Sequence, residues 1–168
     1  MRIYYEKTDD ALRAGALHDA AYALLRRVLS EDFGVASADI RKTPEGKPYL
    51  ADGRVRFSLS HTKGLVCCAL SADGEVGIDS ERIRPVSLRA AERVCTEREL
   101  RDIRASEDPE SRFLVYWTLK ESISKKRGVG LRENFRQYEI LWDGEQPVCE
   151  GHKLQIQKTD GFLIAAAE

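Results

Sequence analysis

The chain has 168 residues, and its 27 Lys and Arg against 28 Asp and Glu give a formal net charge of −1. A chain this long folds as one domain, or as two small packed halves, without a disulfide or metal staple. The balanced charge speaks against a general nucleic-acid or membrane-surface binder, which carries a basic excess, and leaves room for a local basic pocket. Residues 1–10 hold no apolar signal core. The longest apolar runs, 65–70 and 162–167, have the length of strands rather than of a membrane span. Cys67, Cys68, Cys95 and Cys149 lack Cys-x-x-Cys spacing, and with three histidines no zinc site emerges. They read as small core residues, with Cys67 and Cys68 on opposite faces of a strand. A cytoplasmic protein is expected.

The first five residues read as a short strand. Asp9 or Asp10 can cap a helix whose apolar stripe is Leu17, Ala21, Leu24, Leu25 and Val28, with Gly34 to end it. Gly46-Lys47-Pro48 is a stiff loop. Residues 55–61 alternate, with Val55, Phe57 and Leu59 on one face and Arg56, Ser58 and Ser60 on the other. Turn signals at Lys63-Gly64 and Asp73-Gly74 separate this segment from 65–71 and 75–81, which predicts a three-stranded meander.

In the second half Ser87 caps a short helix, and Thr96-Glu97-Arg98-Glu99 forms a capping box. Asp108-Pro109 opens a third helix that Gly128 closes. Residues 135–142, 153–157 and 162–167 read as strands. Helix then meander thus occurs twice. The expected fold is α+β, with an N-terminal half over 1–81 and a C-terminal half over 82–168, tightly packed around a cleft.

Asp79 and Glu81 lie two apart in Gly77-Ile78-Asp79-Ser80-Glu81, so a strand projects both from one face. A divalent cation would offset their repulsion, and Mg²⁺ is often held by one or two carboxylates plus a substrate phosphate. From this segment alone, a solvated strand end explains the pair better. Phe113, Trp117, Glu121 and Lys125 fall on one helical line at i, i+4 spacing. A core stripe accounts for the two aromatics, but it continues into a carboxylate and an ammonium, which suit an active-site edge. Glu121 is expected to be half-exposed there. Ser60, His61 and Thr62 offer donors for phosphate oxygens, while the nucleophile elbow of a Ser hydrolase is missing.

Taken in order, Gly46-Lys47-Pro48, Phe57-Ser58-Leu59-Ser60-His61, Gly77-Ile78-Asp79-Ser80-Glu81 and Trp117-Thr118-Leu119-Lys120-Glu121-Ser122-Ile123-Ser124-Lys125, followed by Gly130-Leu131, resemble the 4'-phosphopantetheinyl transferase superfamily in its pseudo-dimeric, surfactin-synthetase-activating form. The resemblance implies an Mg²⁺-dependent transfer of the phosphopantetheine arm of coenzyme A to a serine of an acyl or peptidyl carrier protein, releasing adenosine 3',5'-bisphosphate. It implies Asp79, Glu81 and Glu121 as metal ligands, with Asp79, Glu121 and Lys125 catalytic. Glu121 would take the serine proton, and Lys125 would bind the pyrophosphate. Ser60 and His61 would contact the coenzyme A phosphates, and Lys47 would lie near the adenine or its 3'-phosphate. Ser80, between the acids, would point harmlessly to the other face.

The first helix departs from the family pattern, since Ala21 and Tyr22 stand where relatives often carry basic residues. Arg13 is the candidate substitute carried forward for the coenzyme A site, with His18, Arg41 and Lys42 as alternatives. The resemblance also implies a monomer, because two halves in one chain remove the need for a trimer. No nucleic-acid or membrane partner is expected. The competing reading is a relative that binds coenzyme A or a carrier protein without turnover.

Overall fold

The computed structural model describes residues 1–129 and 133–168. Gly130-Leu131, part of the expected motif, lies outside the described residues. Helix α1, Ala14–Phe33, buries Leu17, Ala21, Leu24, Leu25, Val28 and Leu29, and Gly34 closes it in the left-handed conformation. That stripe agrees with the periodicity, but the N-cap does not. Asp9 accepts the Ala11 N–H in a turn, and Arg13 occupies the cap position without a capping side-chain bond.

Strand β1, Arg2–Lys7, pairs antiparallel with β5, Leu65–Ser71, which also pairs with β4, Arg56–Thr62. The short strands β2, Ile40–Lys42, and β3, Pro48–Leu50, form a separate hairpin. The expected meander is corrected at its third strand. β6, Gly77–Arg82, pairs with β10, Phe162–Ala167, which pairs in turn with β9, Leu154–Thr159. The physical reason lies on β4. Ser58 and Ser60 project from one face of that strand, and their hydroxyls accept the Ile78 and Ser80 N–H groups of β6, at 3.1 and 3.2 Å. Side-chain hydroxyls thus stand in for ladder carbonyls, and the backbone of β6 turns to β10.

Two sheets therefore meet face to face. Leu65, Cys67 and Ala69 of β5 pack with Val76, Ile78, Phe162, Ile164 and Ala166 between them. The opposite face of β5, through Val66, Cys68 and Leu70, carries α1. This double coverage explains why all of β5 is buried. The four cysteines are free and buried, and burial pushes the Cys67, Cys68 and Cys95 thiols up to about 12, as suits core residues rather than reactive ones.

In the second half, Ser87 caps a 3₁₀ turn, Leu88–Ala90, that leads into α2, Ala91–Val94. Both halves of the Thr96–Glu99 capping box form at the start of α3, Glu97–Ala105. Helix α4, Pro109–Arg127, begins with Asp108 accepting the Ser111 N–H and ends at Gly128 in the left-handed conformation. The single strand expected over 135–142 is corrected. Phe135–Gln137 is a 3₁₀ turn capped by Asn134, and only Leu141–Asp143, β7, is extended, in a hairpin with β8, Gln146–Val148. Asn134 accepting the Arg136 N–H is the local bond that competes with the strand. The architecture is α+β, with a helix on the outer face of each antiparallel sheet. Among the described residues no helix is long and apolar enough to cross a membrane.

Gly77 sets the approach of β6 to α4. A Cβ there would lie 1.9 Å from the Ser122 carbonyl oxygen and 2.3 Å from the Lys126 amide nitrogen, both of them backbone atoms that cannot swing away. Gly77→Ala should therefore cost about 3 kcal/mol or more. Gly15→Ala, on α1 with nothing within 4 Å, should stabilise by about 0.5 kcal/mol. Urea denaturation of the two variants checks that the same substitution has opposite signs.

Candidate active site

The strand alternation that places Gly77 against α4 also points Asp79 and Glu81 at that helix. On α4, Glu121 and Lys125 are one turn apart, and each immediately precedes a residue that Gly77 approaches, Ser122 and Lys126. The two elements thus bring three carboxylates and an ammonium together. Lys125 Nζ donates to Asp79 Oδ1 at 2.7 Å and to Ser60 Oγ at 3.0 Å. Glu81 Oε1 accepts the Trp117 indole N–H at 3.1 Å. Asp79 Oδ2 and Glu121 Oε1 are buried without a hydrogen-bond partner.

Glu121 is 8% exposed, against the half-exposed carboxylate expected. The correction follows from β6, whose glycine lets the strand cover that face of the helix. Burial and then the Asp79 charge push the Glu121 carboxyl up to about 7. Burial followed by Asp79 raises Glu81 as well. Burial pulls the Lys125 ammonium down, but the Asp79 charge and hydrogen bond outweigh it and the net direction is upward. The acids are mutually strained and one cation partly offsets them.

Those two partnerless oxygens are what a divalent cation would satisfy, so the donor set fits one of the kind that also takes substrate phosphate oxygens. Among the described residues no three His, Cys, Asp or Glu side chains converge as a ready cage. The physical reason is visible in the partners, since Asp79 Oδ1 is held by Lys125 and Glu81 by Trp117.

Beside this set lies a cavity of about 300 Å³ lined by residues of α1, the β2–β3 loop, β4 and α4, among them His18, Tyr22, Lys42, Lys47, His61 and Lys125. His61 and His18 meet edge to face at 6.5 Å. Burial, then Lys125 and His18, lower the His61 imidazole. The sequence-derived candidates divide here. Lys47, His61 and Lys125 line the cavity, Ser60 is not among its lining residues, and Arg13 stands exposed at the start of α1, also outside the lining. Of the alternatives to Arg13, His18 and Lys42 are on the wall and Arg41 is paired with Asp39. The Lys47 ammonium is itself engaged, donating to the Lys126 carbonyl at 2.6 Å and to Glu75 at 2.7 Å, so it closes the C-terminal end of α4.

Three residues escaped the sequence reading. Trp117, taken as core, orients Glu81. A ring N–H one turn from Glu121 was the signal. Lys120 points away from the acids into a fully buried pair with Glu99 at 2.7 Å, and also donates to the Val94 and Phe135 carbonyls. Nothing in the spacing separates it from a surface lysine. Ser80, expected to be harmless, donates its backbone N–H to Ser60 and brings its hydroxyl within 3.2 Å of the Ser60 hydroxyl.

The family model described as 4'-phosphopantetheinyl transferase superfamily matches residues 75–166, which include β6 and α4. The chain is 34% identical over 113 residues to the 4'-phosphopantetheinyl transferase Sfp of Bacillus subtilis (strain 168), covering 64% of this chain and 50% of that protein. It is 34% identical over 138 residues to the 4'-phosphopantetheinyl transferase HetI of Nostoc sp., covering 76% and 58%. Among solved structures, the holo-[acyl-carrier-protein] synthase of Thermotoga maritima is similar at a TM-score of 0.50 and 25% identity, over 55% of this chain and 61% of that one. The chain spans about half the length of the curated relatives it matches. With the family model covering more than half of it, the chain belongs to the 4'-phosphopantetheinyl transferase superfamily.

Proposed function

We propose that this chain transfers the 4'-phosphopantetheine group of coenzyme A to a serine of an acyl or peptidyl carrier protein. The observation that carries the reading is the meeting of Asp79, Glu121 and Lys125 beside the cavity that Lys125 also lines. Asp79, Glu81 and Glu121 would hold a divalent cation, Mg²⁺ in the family reading. Bound there, it would neutralise charge on the pyrophosphate as the phosphoryl group moves.

The chain's own residues do the rest. The carrier serine Oγ forms a bond to the phosphorus that bears the pantetheine arm, and the bond from that phosphorus to the bridging oxygen breaks, releasing adenosine 3',5'-bisphosphate. Glu121, whose Oε1 has no hydrogen-bond partner, would take the serine proton. Lys125 faces the leaving oxygen with a positive charge. His61, His18 and Lys42 supply the cavity with donors for the nucleotide phosphates, and Lys47 shapes its wall. Arg13 is retained as a contact for coenzyme A only if the ligand extends past the start of α1. Next to Glu81 a shallow groove lined by Arg84, Phe113, Leu114 and Trp117 offers mixed apolar and basic contacts to a carrier.

Two measurements check this. Intact-mass analysis of an apo carrier protein incubated with coenzyme A, Mg²⁺ and this protein should show a gain of one phosphopantetheine that EDTA abolishes. No gain across acyl and peptidyl carriers, with coenzyme A still bound in calorimetry, would favour the non-catalytic binder. Glu121→Gln should lose transfer by at least about a hundredfold, the low end of a general base's contribution. In metal-free urea denaturation it should be as stable as the parent or more so, because it removes a buried charge that has no partner. Lys125→Met should instead lose about 2 kcal/mol, since it strands Asp79 without a countercharge. Equal stability losses in the two variants would refute the electrostatic account.

A further inference from the structure

We infer that Ser60 is a positioning residue that locks Asp79 and Lys125 in place, and not a contact for substrate phosphate. The inference rests on Asp79 as a metal ligand. A serine hydroxyl has one proton to donate and two lone pairs to accept with. The Lys125 ammonium, at 3.0 Å, and the Ser80 backbone N–H, at 3.2 Å, are donors only, so each takes a lone pair. Asp79 Oδ1, the carboxylate oxygen paired with Lys125, lies 3.1 Å away and can only accept, so it takes the proton. The Ser80 hydroxyl, at 3.2 Å, competes for these same three places and adds none. Ser60 is 5% exposed and is not among the residues that line the cavity, whereas Ser58, Leu59 and His61 around it are. No capacity is left for a ligand oxygen.

What the lock achieves is visible on Asp79. Oδ1 is bound to Ser60 and Lys125, which leaves Oδ2 buried and without a partner on the side where a cation would bind. The hydroxyl fixes which carboxylate oxygen is spent on the protein. Outer partners of this kind commonly change metal affinity by about 10–100-fold when removed.

Ser58 supplies a matched control, because it holds the Ile78 N–H as Ser60 holds the Ser80 N–H, at nearly the same distance, but touches neither Asp79 nor Lys125 among the described contacts. Both Ser58→Ala and Ser60→Ala should lose thermal stability, Ser60→Ala the more because it also loses hydrogen bonds to two charged groups. The discriminating readout is Mn²⁺ binding, followed by electron paramagnetic resonance of the free ion, with and without coenzyme A. Ser60→Ala should bind Mn²⁺ about tenfold more weakly, while Ser58→Ala stays within about twofold of the parent. In calorimetry without metal, Ser60→Ala should bind coenzyme A within about twofold of the parent, and in transfer assays it should lower kcat rather than raise KM for coenzyme A. Should Ser60→Ala fail to fold, Ser60→Cys, whose thiol is a weak donor and acceptor, carries the same comparison and should bind Mn²⁺ at least about fivefold more weakly. Unchanged Mn²⁺ affinity, or a tenfold loss of coenzyme A affinity with Mn²⁺ binding intact, would overturn the inference and leave the metal reading standing. If the parent itself binds no Mn²⁺ with or without coenzyme A, the metal reading fails and takes this one with it.

Discussion

The contact between Gly77 and the backbone of α4 governs the rest of the site. A side chain would hold the strand away from the helix, and here the absence of a Cβ lets the strand backbone reach the Ser122 carbonyl and the Lys126 amide. Ser122 and Lys126 each follow a residue of the site, Glu121 and Lys125. Asp79, two residues along the strand, must then share the space between them. Lys125 is engaged with one oxygen of Asp79, and Asp79 Oδ2 and Glu121 Oε1 are left buried with no hydrogen-bond partner. The fold accepts that cost at one place because its three apolar clusters are elsewhere complete.

Groups that repel one another cannot hold their own arrangement, so the rigidity comes from outside. From behind α4, the Lys120–Glu99 pair ties the helix to Val94, Thr96, Phe135 and Ile140. Every ammonium proton and both carboxylate oxygens are used, which is the condition under which a buried pair stabilises rather than burdens a core. At the C-terminal end, Lys47 caps the Lys126 carbonyl from the β2–β3 loop. Trp117 packs on Phe113 and Phe135 and turns its N–H to Glu81. One helix thus presents Glu121 and Lys125 toward β6 and is gripped on its other faces by ion pairs and rings.

Much of this was legible in the residues, and the exceptions share a cause. The α1 stripe, the Thr96–Glu99 box, the Asp108-Pro109 start and the Gly128 stop are local signals, decided by residues within a turn or two of one another. Asp79, Glu81, Glu121 and Lys125 were picked from spacing within single elements, and those spacings survive packing. What escaped were relations between elements far apart in sequence. Whether β6 pairs with β4 or β10 is set by two serines whose side chains replace backbone acceptors, and alternation cannot reveal that. Lys120 and Lys125 are both lysines on one helix, and only the partner 21 residues upstream of Lys120, Glu99, makes it structural. Ser60 was expected to contact ligand phosphates, but what its hydroxyl can bind depends on how many of its three hydrogen-bonding places the fold already occupies.

The seam between the sheets explains why the cavity and the acid set lie side by side without merging. The cavity is built from α1, the β2–β3 loop and β4, with Lys125 and Gly128 from the end of α4. The acids come from β6 and α4. Hydroxyls of Ser58 and Ser60 join the two regions in place of a continuous backbone ladder, so the sheets meet at a line of short, adaptable contacts rather than fusing. A ligand with a nucleotide at one end and a reacting phosphate at the other matches a site divided this way, because clefts between packed units are where such ligands bind. Lys125 belongs to both regions, lining the cavity and meeting Asp79 with its ammonium. Its charge is therefore held at the boundary between the two regions, with the Ser60 hydroxyl and Asp79 Oδ1 as its partners.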